Sequence, residues 1–83
     1  MIDAFIGSLL LVPYNFIPQG WAECNGQSLQ IARYQELFSI IGNMYGGDGI
    51  NVFNLPSMPE VKDANGNTLN WMICYNGIYP QRS

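Results

Sequence analysis

The residues with the strongest claim to chemistry are six carboxylates, Asp3, Glu23, Glu36, Asp48, Glu60 and Asp63, two thiols, Cys24 and Cys74, and a single lysine, Lys62. There is no histidine, which removes Ser–His and Cys–His nucleophile systems and the commonest general base. A glycosidase needs two carboxylates facing each other across a cleft, and a chain of 83 residues has little room for one. No catalytic residue is therefore assigned and no enzyme activity is expected. The chain is also assigned no cofactor and no metal ligand, once two loop-like stretches are weighed.

The first stretch is "MYGGDG", residues 44–49. A phosphate loop requires a lysine and a hydroxyl after its last glycine, whereas Gly49 is followed by Ile50 and Asn51. A dinucleotide loop joins a strand to the start of a helix, and this one follows a helical pattern. Calcium is the stronger rival, because Asp48 and Asn51 offer oxygens and loop carbonyls can complete a shell. The second stretch, "DANGN" at 63–67, begins like an EF-hand loop. Thr68 then stands where glycine is required, and Cys74 where a bidentate glutamate is required. The reading adopted is structural at both places. Tyr45, Gly46, Gly47, Asp48 and Gly49 form a chain reversal in which glycines supply positive φ and Asp48 bonds backbone amides. "DANGN" is a hairpin tip at Asn65–Gly66.

The elements around these loops follow from periodicity. "AFIGSLLLV", residues 4–12, reads as a strand, apolar on both faces near its end and hence central or interfacial. "PYNFIPQG" is a loop. "WAEC" is a short strand anchored by Trp21, and Asn25–Gly26 signals a hairpin from which "QSL" returns. Ile31, Tyr34, Leu37, Phe38 and Ile41 then fall on one helical face over about residues 31–41. Gly42 is the expected cap. A glycine-rich loop spans 43–51, and "VFNLP" is briefly extended. The stretch from Glu60 to Tyr79 reads as a C-terminal hairpin, with Leu69, Trp71, Ile73 and Tyr75 alternating with Asn70, Met72, Cys74 and Asn76. The expected fold class is α+β: a small, mainly antiparallel sheet with one short helix, in a single domain over residues 1–83.

Composition limits the partners. Net charge is −3, with only Arg33, Lys62 and Arg82 positive, so no basic patch exists for nucleic acid or anionic membranes. Charged residues are 11% and hydrophobic ones 48%. That is too little charge to cover a small monomer, and some apolar surface is expected to meet another subunit. The aromatic residues, Trp21 and Trp71 among them, suit core or interface packing better than a sugar platform. No stretch is long and apolar enough to span a membrane. The opening "MIDAFIGSLLLVP" lacks a basic leader and carries Asp3 instead, so a cleavable signal peptide is not expected. Cys24 and Cys74 match no zinc spacing. They leave either one disulfide or two buried thiols, the second being the preferred reading.

Taken in order, "FIGSLLL", "PQGWAECNGQSL", "YQELFSIIGNMYGGDG" and "VFNLP" resemble the phage tail-collar family, found in tail-fibre proteins and in the bacterial proteins named microcystin-dependent. Residues 5–56 follow the family pattern. Gly20, Trp21, Cys24, Gly26, Leu37, Phe38, Gly42, Tyr45, Gly46, Gly47, Asp48, Gly49, Phe53, Leu55 and Pro56 fall on its motif positions. The ending "LNWMICYNGIYPQRS" resembles the close of longer bacterial members. "SMPEV" replaces a family segment that carries two arginines, and the long variable middle of larger relatives is reduced to one hairpin.

The resemblance implies a minimal structural subunit that self-associates as a homotrimer or filament in a phage tail or extracellular fibre, alongside other tail or fibre proteins. It implies residence in the cytoplasm before assembly. Phe5, Ile6, Leu9, Leu10, Leu11, Val12, Trp71, Ile73 and Tyr75 are the self-association candidates. The alternative is a receptor- or glycan-binding module of a tail fibre. Relatives carry their receptor-binding head beyond the collar, where this chain has little.

Overall fold

The computed structural model describes residues 4–13 and 16–80. Asp3 and Arg82, named above, lie outside them. The fold is α+β, and every ladder is antiparallel. It is built around one strand, β6 (Thr68–Cys74), which uses both of its edges. Along one edge β1 (Leu9–Pro13) pairs in register from Leu9 with Ile73 to Pro13 with Leu69. Along the other, β2 (Trp21–Glu23) pairs with Cys74 to Met72, and β5 (Val61–Lys62) pairs with Leu69 and Thr68. A separate ribbon joins β3 (Ser28–Gln30) to β4 (Val52–Asn54). Helix α1 (Gln35–Ile41) lies between these two ribbon strands in sequence.

Paired residues in an antiparallel ladder share a face, so the register sorts the core into two. On one face, Ile73 joins Ile6, Cys24, Leu37, Phe53 and Leu55, with Trp71, Tyr34, Phe38 and Tyr75 packed at the margin. Here the ribbon and the helix close over the sheet, and the Phe38 and Phe53 rings lie 5.3 Å apart. On the other face, Met72 and Cys74 pack with Val12 and Trp21. The alternation along β6 suggested one apolar and one wetter face. Instead Asn70, Met72 and Cys74 on the nominally wetter face are all buried. Val12 stands opposite Asn70 on β1 and Trp21 opposite Cys74 on β2, so on this face the side chains of β6 are walled by those of its neighbours in the sheet.

Three expectations change. The first strand begins at Leu9 rather than Ala4. Gly7 has φ +94 and the Ser8 amide bonds the Phe5 carbonyl at 3.0 Å, so the chain turns there. Residues 4–6 run beside Ile78 instead, through a parallel bridge at Phe5. The strand that results lies at the edge of the sheet, not its centre. Asn25–Gly26 makes a turn but no hairpin, because β2 and β3 join different sheets. The polar groups around that turn find partners elsewhere: Cys24 N–H bonds Trp71 O at 2.9 Å, and Met58 N–H bonds Cys24 O at 3.0 Å. The 31–41 helix is two pieces, a 3-10 turn at Ile31–Arg33 and α1, divided at Tyr34 with φ −131 and ψ 44. Neither piece has a side-chain cap. The Tyr34 ring meets Tyr75 edge-on, with centroids 5.2 Å apart. The C-terminal hairpin and its Asn65–Gly66 tip are present: Gly66 N–H bonds Asp63 O at 3.0 Å.

Ile73 is 2% exposed at the crossing of β1, β2 and the main core. Ile73→Ala is therefore expected to cost about 2–5 kcal/mol in chemical denaturation, as a cavity-forming change. Leu9, its partner across the ladder, is 45% exposed, and Leu9→Ala should cost far less. Equal losses would contradict the assignment of Ile73 to the core.

Candidate functional site

The glycine-rich loop is tied by one carboxylate. Asp48 Oδ1 accepts the backbone N–H groups of Ile50 at 2.8 Å, Asn51 at 2.8 Å and Val52 at 3.0 Å. Those bonds, led by Val52, hold its pKa below the ordinary 3.8. The loop folds back on β4: Gly49 N–H bonds Val52 O at 3.1 Å, and Asn54 N–H bonds Gly46 O at 3.1 Å. Gly47 has φ +94, and a Cβ there would lie 2.6 Å from the Phe53 Cα. No side chain fits between loop and strand at that point. Tyr45 stays half exposed on the outside.

Asp63 repeats the device at the hairpin tip. Its Oδ1 accepts the Asn65 and Asn67 amides, each at 2.9 Å, and its Oδ2 accepts the Asn67 side-chain amide at 3.1 Å. Its pKa is lowered by the Asn67 backbone first and the Asn67 side chain second. Among the described residues no three Cys, Asp or Glu side chains gather as a metal cluster would require.

The two thiols are free and sit in separate core clusters on opposite faces of β6. Burial, then the charge of Glu23, pushes Cys24 up to about 11, and burial raises Cys74 as well. Both are protonated and unreactive at neutral pH.

The self-association candidates divide by burial. Ile6, Val12 and Ile73 belong to the chain's own core, and Leu10, Leu11, Trp71 and Tyr75 are half buried. Phe5 and Leu9 are exposed. Around Phe5 the exposed apolar surface continues through its bridge partner Ile78, and Tyr79 is hydrogen-bonded to Ser39 of α1. A second exposed set, Met44, Tyr45 and Ile50, rides on the glycine-rich loop.

Sequence reasoning missed an open groove of about 680 Å³ lined by Arg33, Tyr34, Gln35, Glu36, Tyr75 and Asn76. Its walls come from the 3-10 turn and the start of α1 and from the residues just after β6, and no spacing in the sequence joins them.

The Phage Tail Collar Domain family matches residues 7–60. The chain belongs to that family. No curated protein and no solved structure gives a match. The collar family is a structural family of phage tail fibres rather than a family of enzymes. The matched span runs from the turn before β1 to the residue before β5, so the collar's central strand, β6, lies outside it. The residues on which the sequence resemblance rests are mostly core: Trp21, Cys24, Leu37, Phe53, Leu55 and Pro56 are buried, and Phe38 is partly so.

Asp48→Ala should lower the thermal midpoint more than Asp48→Asn, whose side-chain oxygen still accepts the three amides. Because the folded pKa is lowered, the carboxylate's contribution is complete above about 3.8 and is lost as pH falls through the lower folded value. Acid titration of the midpoint should thus fall more steeply for the native collar than for Asp48→Asn. An Asp48→Ala chain that kept its midpoint but lost bound calcium would overturn the turn reading. Gly47→Ala combines positive φ with a backbone clash, and should cost more than about 1 kcal/mol by denaturant titration.

Proposed function

We propose that this collar chain is a non-enzymatic structural subunit that self-associates, as a trimer or filament, in a phage-tail-like or extracellular fibre. The observation that carries the reading is the outer edge of β1. Its five residues, "LLLVP", include no charge, and that edge has no partner among the described residues. Monomeric proteins guard such edges with charge, proline, bulges or cover, and within β1 only its last residue, Pro13, does so, leaving Leu9 to Val12 unguarded by charge. Phe5 and Leu9 add exposed apolar surface beside it. The exposed sets at the chain ends and on the glycine-rich loop are unlike each other. A contact between unlike patches builds a closed ring or an open filament, according to whether its rotation closes. The partners are copies of the chain and other tail or fibre proteins. The setting is the virion or an extracellular fibre, after synthesis in the cytoplasm.

Receptor or glycan binding is a second reading, favoured by the groove alone, where two tyrosines stand beside Arg33, Glu36 and Asn76. Sugar sites combine aromatic faces with convergent polar groups.

Size-exclusion chromatography with light scattering, followed by negative-stain microscopy, tests the first reading. Discrete trimers or fibres are expected, with Leu9→Lys weakening assembly while leaving the circular dichroism of the subunit unchanged. A monomer of 9.3 kDa at every concentration would overturn it.

A further inference from the structure

Three Asn–Gly pairs stand in the chain, at Asn25–Gly26, Asn65–Gly66 and Asn76–Gly77. In such a pair the glycine nitrogen can attack the asparagine side-chain carbonyl, since glycine has no Cβ to obstruct the approach. A new N–Cγ bond closes a succinimide. The Cγ–Nδ2 bond breaks, and ammonia departs with the proton lost from the glycine nitrogen. Solvent water then opens the ring at either carbonyl, leaving aspartate or isoaspartate. The net change is exchange of ammonia for water, with no oxidation or reduction.

The fold treats the three nucleophiles differently. Gly26 N–H is engaged by Pro56 O at 3.3 Å, and the Gln27 N–H donates to Asn25 Oδ1 at 3.1 Å. Gly66 N–H is engaged by Asp63 O at 3.0 Å, inside a tip that the Asp63 side chain ties three times more. Attack from either nitrogen first requires releasing its N–H from that carbonyl oxygen. Gly77 N–H has no partner among the described residues, and the Asn76 side chain is exposed with none either. We propose that Asn76 is the chain's site of spontaneous succinimide chemistry, converting to aspartate and isoaspartate ahead of Asn25 and Asn65.

The position gives that chemistry a structural consequence. Just before it, the Tyr75 and Asn76 amides are held by Gly20 O at 2.9 and 3.2 Å. Just after it, Ile78 N–H bonds Ala4 O at 2.8 Å, and Ile78 O accepts Ile6 N–H at 2.8 Å. Gly77 itself is packed against the Ala4 carbonyl and the Cys74 sulfur. Isoaspartate inserts a methylene into the backbone between two fixed points. It therefore loosens the clasp between the N-terminal segment and the end of β6.

The test is to age the purified chain at mildly alkaline pH and follow each Asn–Gly peptide by mass spectrometry, folded and in denaturant. In the folded chain the Asn76 peptide should convert several-fold faster than the other two. In denaturant the three rates should converge. Asn76→Gln should remove the fastest conversion and slow the fall in thermal midpoint with age. Conversion at Asn25 or Asn65 as fast as at Asn76 in the folded chain would overturn the proposal. So would a preference for Asn76 that persists in denaturant, because the cause would then be local sequence rather than the fold.

Discussion

Everything in this collar depends on β6 being a strand with no free side. Its edges are taken by β1 on one flank and by β2 and β5 on the other. Its faces carry Ile73 into one core cluster and Met72 with Cys74 into the other. The backbone of β6 thus satisfies its polar groups through three partners that do not pair with one another. Remove it, and β1, β2 and β5 become isolated segments, while both clusters lose their shared wall. For a chain of 83 residues, which buries a smaller share of its surface than a larger domain does, no second core is available to take over.

That dependence explains an arrangement that otherwise looks odd. The family match ends at residue 60, yet the strand that organises the matched segment comes after it. The collar segment supplies the edges, the helix and the ribbon, and the following hairpin supplies the centre. The tip of that hairpin is therefore shaped as carefully as the family's own loop. Asp63 Oδ1 accepts the amides two and four residues on, as Asp48 Oδ1 does in the glycine-rich loop. Short tied turns fix where β4 and β6 begin, and the register of a strand decides which side chains reach which face.

Much of this was legible in the sequence. The presence of one short helix before Gly42 (though not its break at Tyr34), the reversal at "YGGDG" and the Asn65–Gly66 tip each follow from local rules of period and turn chemistry. What was not legible is non-local. Alternation along β6 predicted a wetter face through Asn70, because a one-strand pattern cannot reveal that Val12 and Trp21 on the neighbouring strands flank that face. Asn25–Gly26 has hairpin chemistry, but its two flanking strands find better partners in different sheets. The groove between Tyr34 and Tyr75 exists only because packing brings the start of the helix to the end of β6. Gly47 reads as a turn residue and Gly77 carries no signal in the sequence, yet what both positions require is the absence of a side chain, beside Phe53 and Ala4 respectively.

The most direct test of β6 as organiser is to divide the chain at its last matched residue. Residues 1–60 and a peptide of residues 61–83 would be prepared separately and followed by circular dichroism and amide hydrogen exchange, alone and mixed. The account predicts that residues 1–60 alone show no cooperative unfolding and little amide protection, and that adding the peptide restores both, with protection centred on the amides of β6 and its three partners. A cooperatively folded 1–60 segment that ignored the peptide would contradict it.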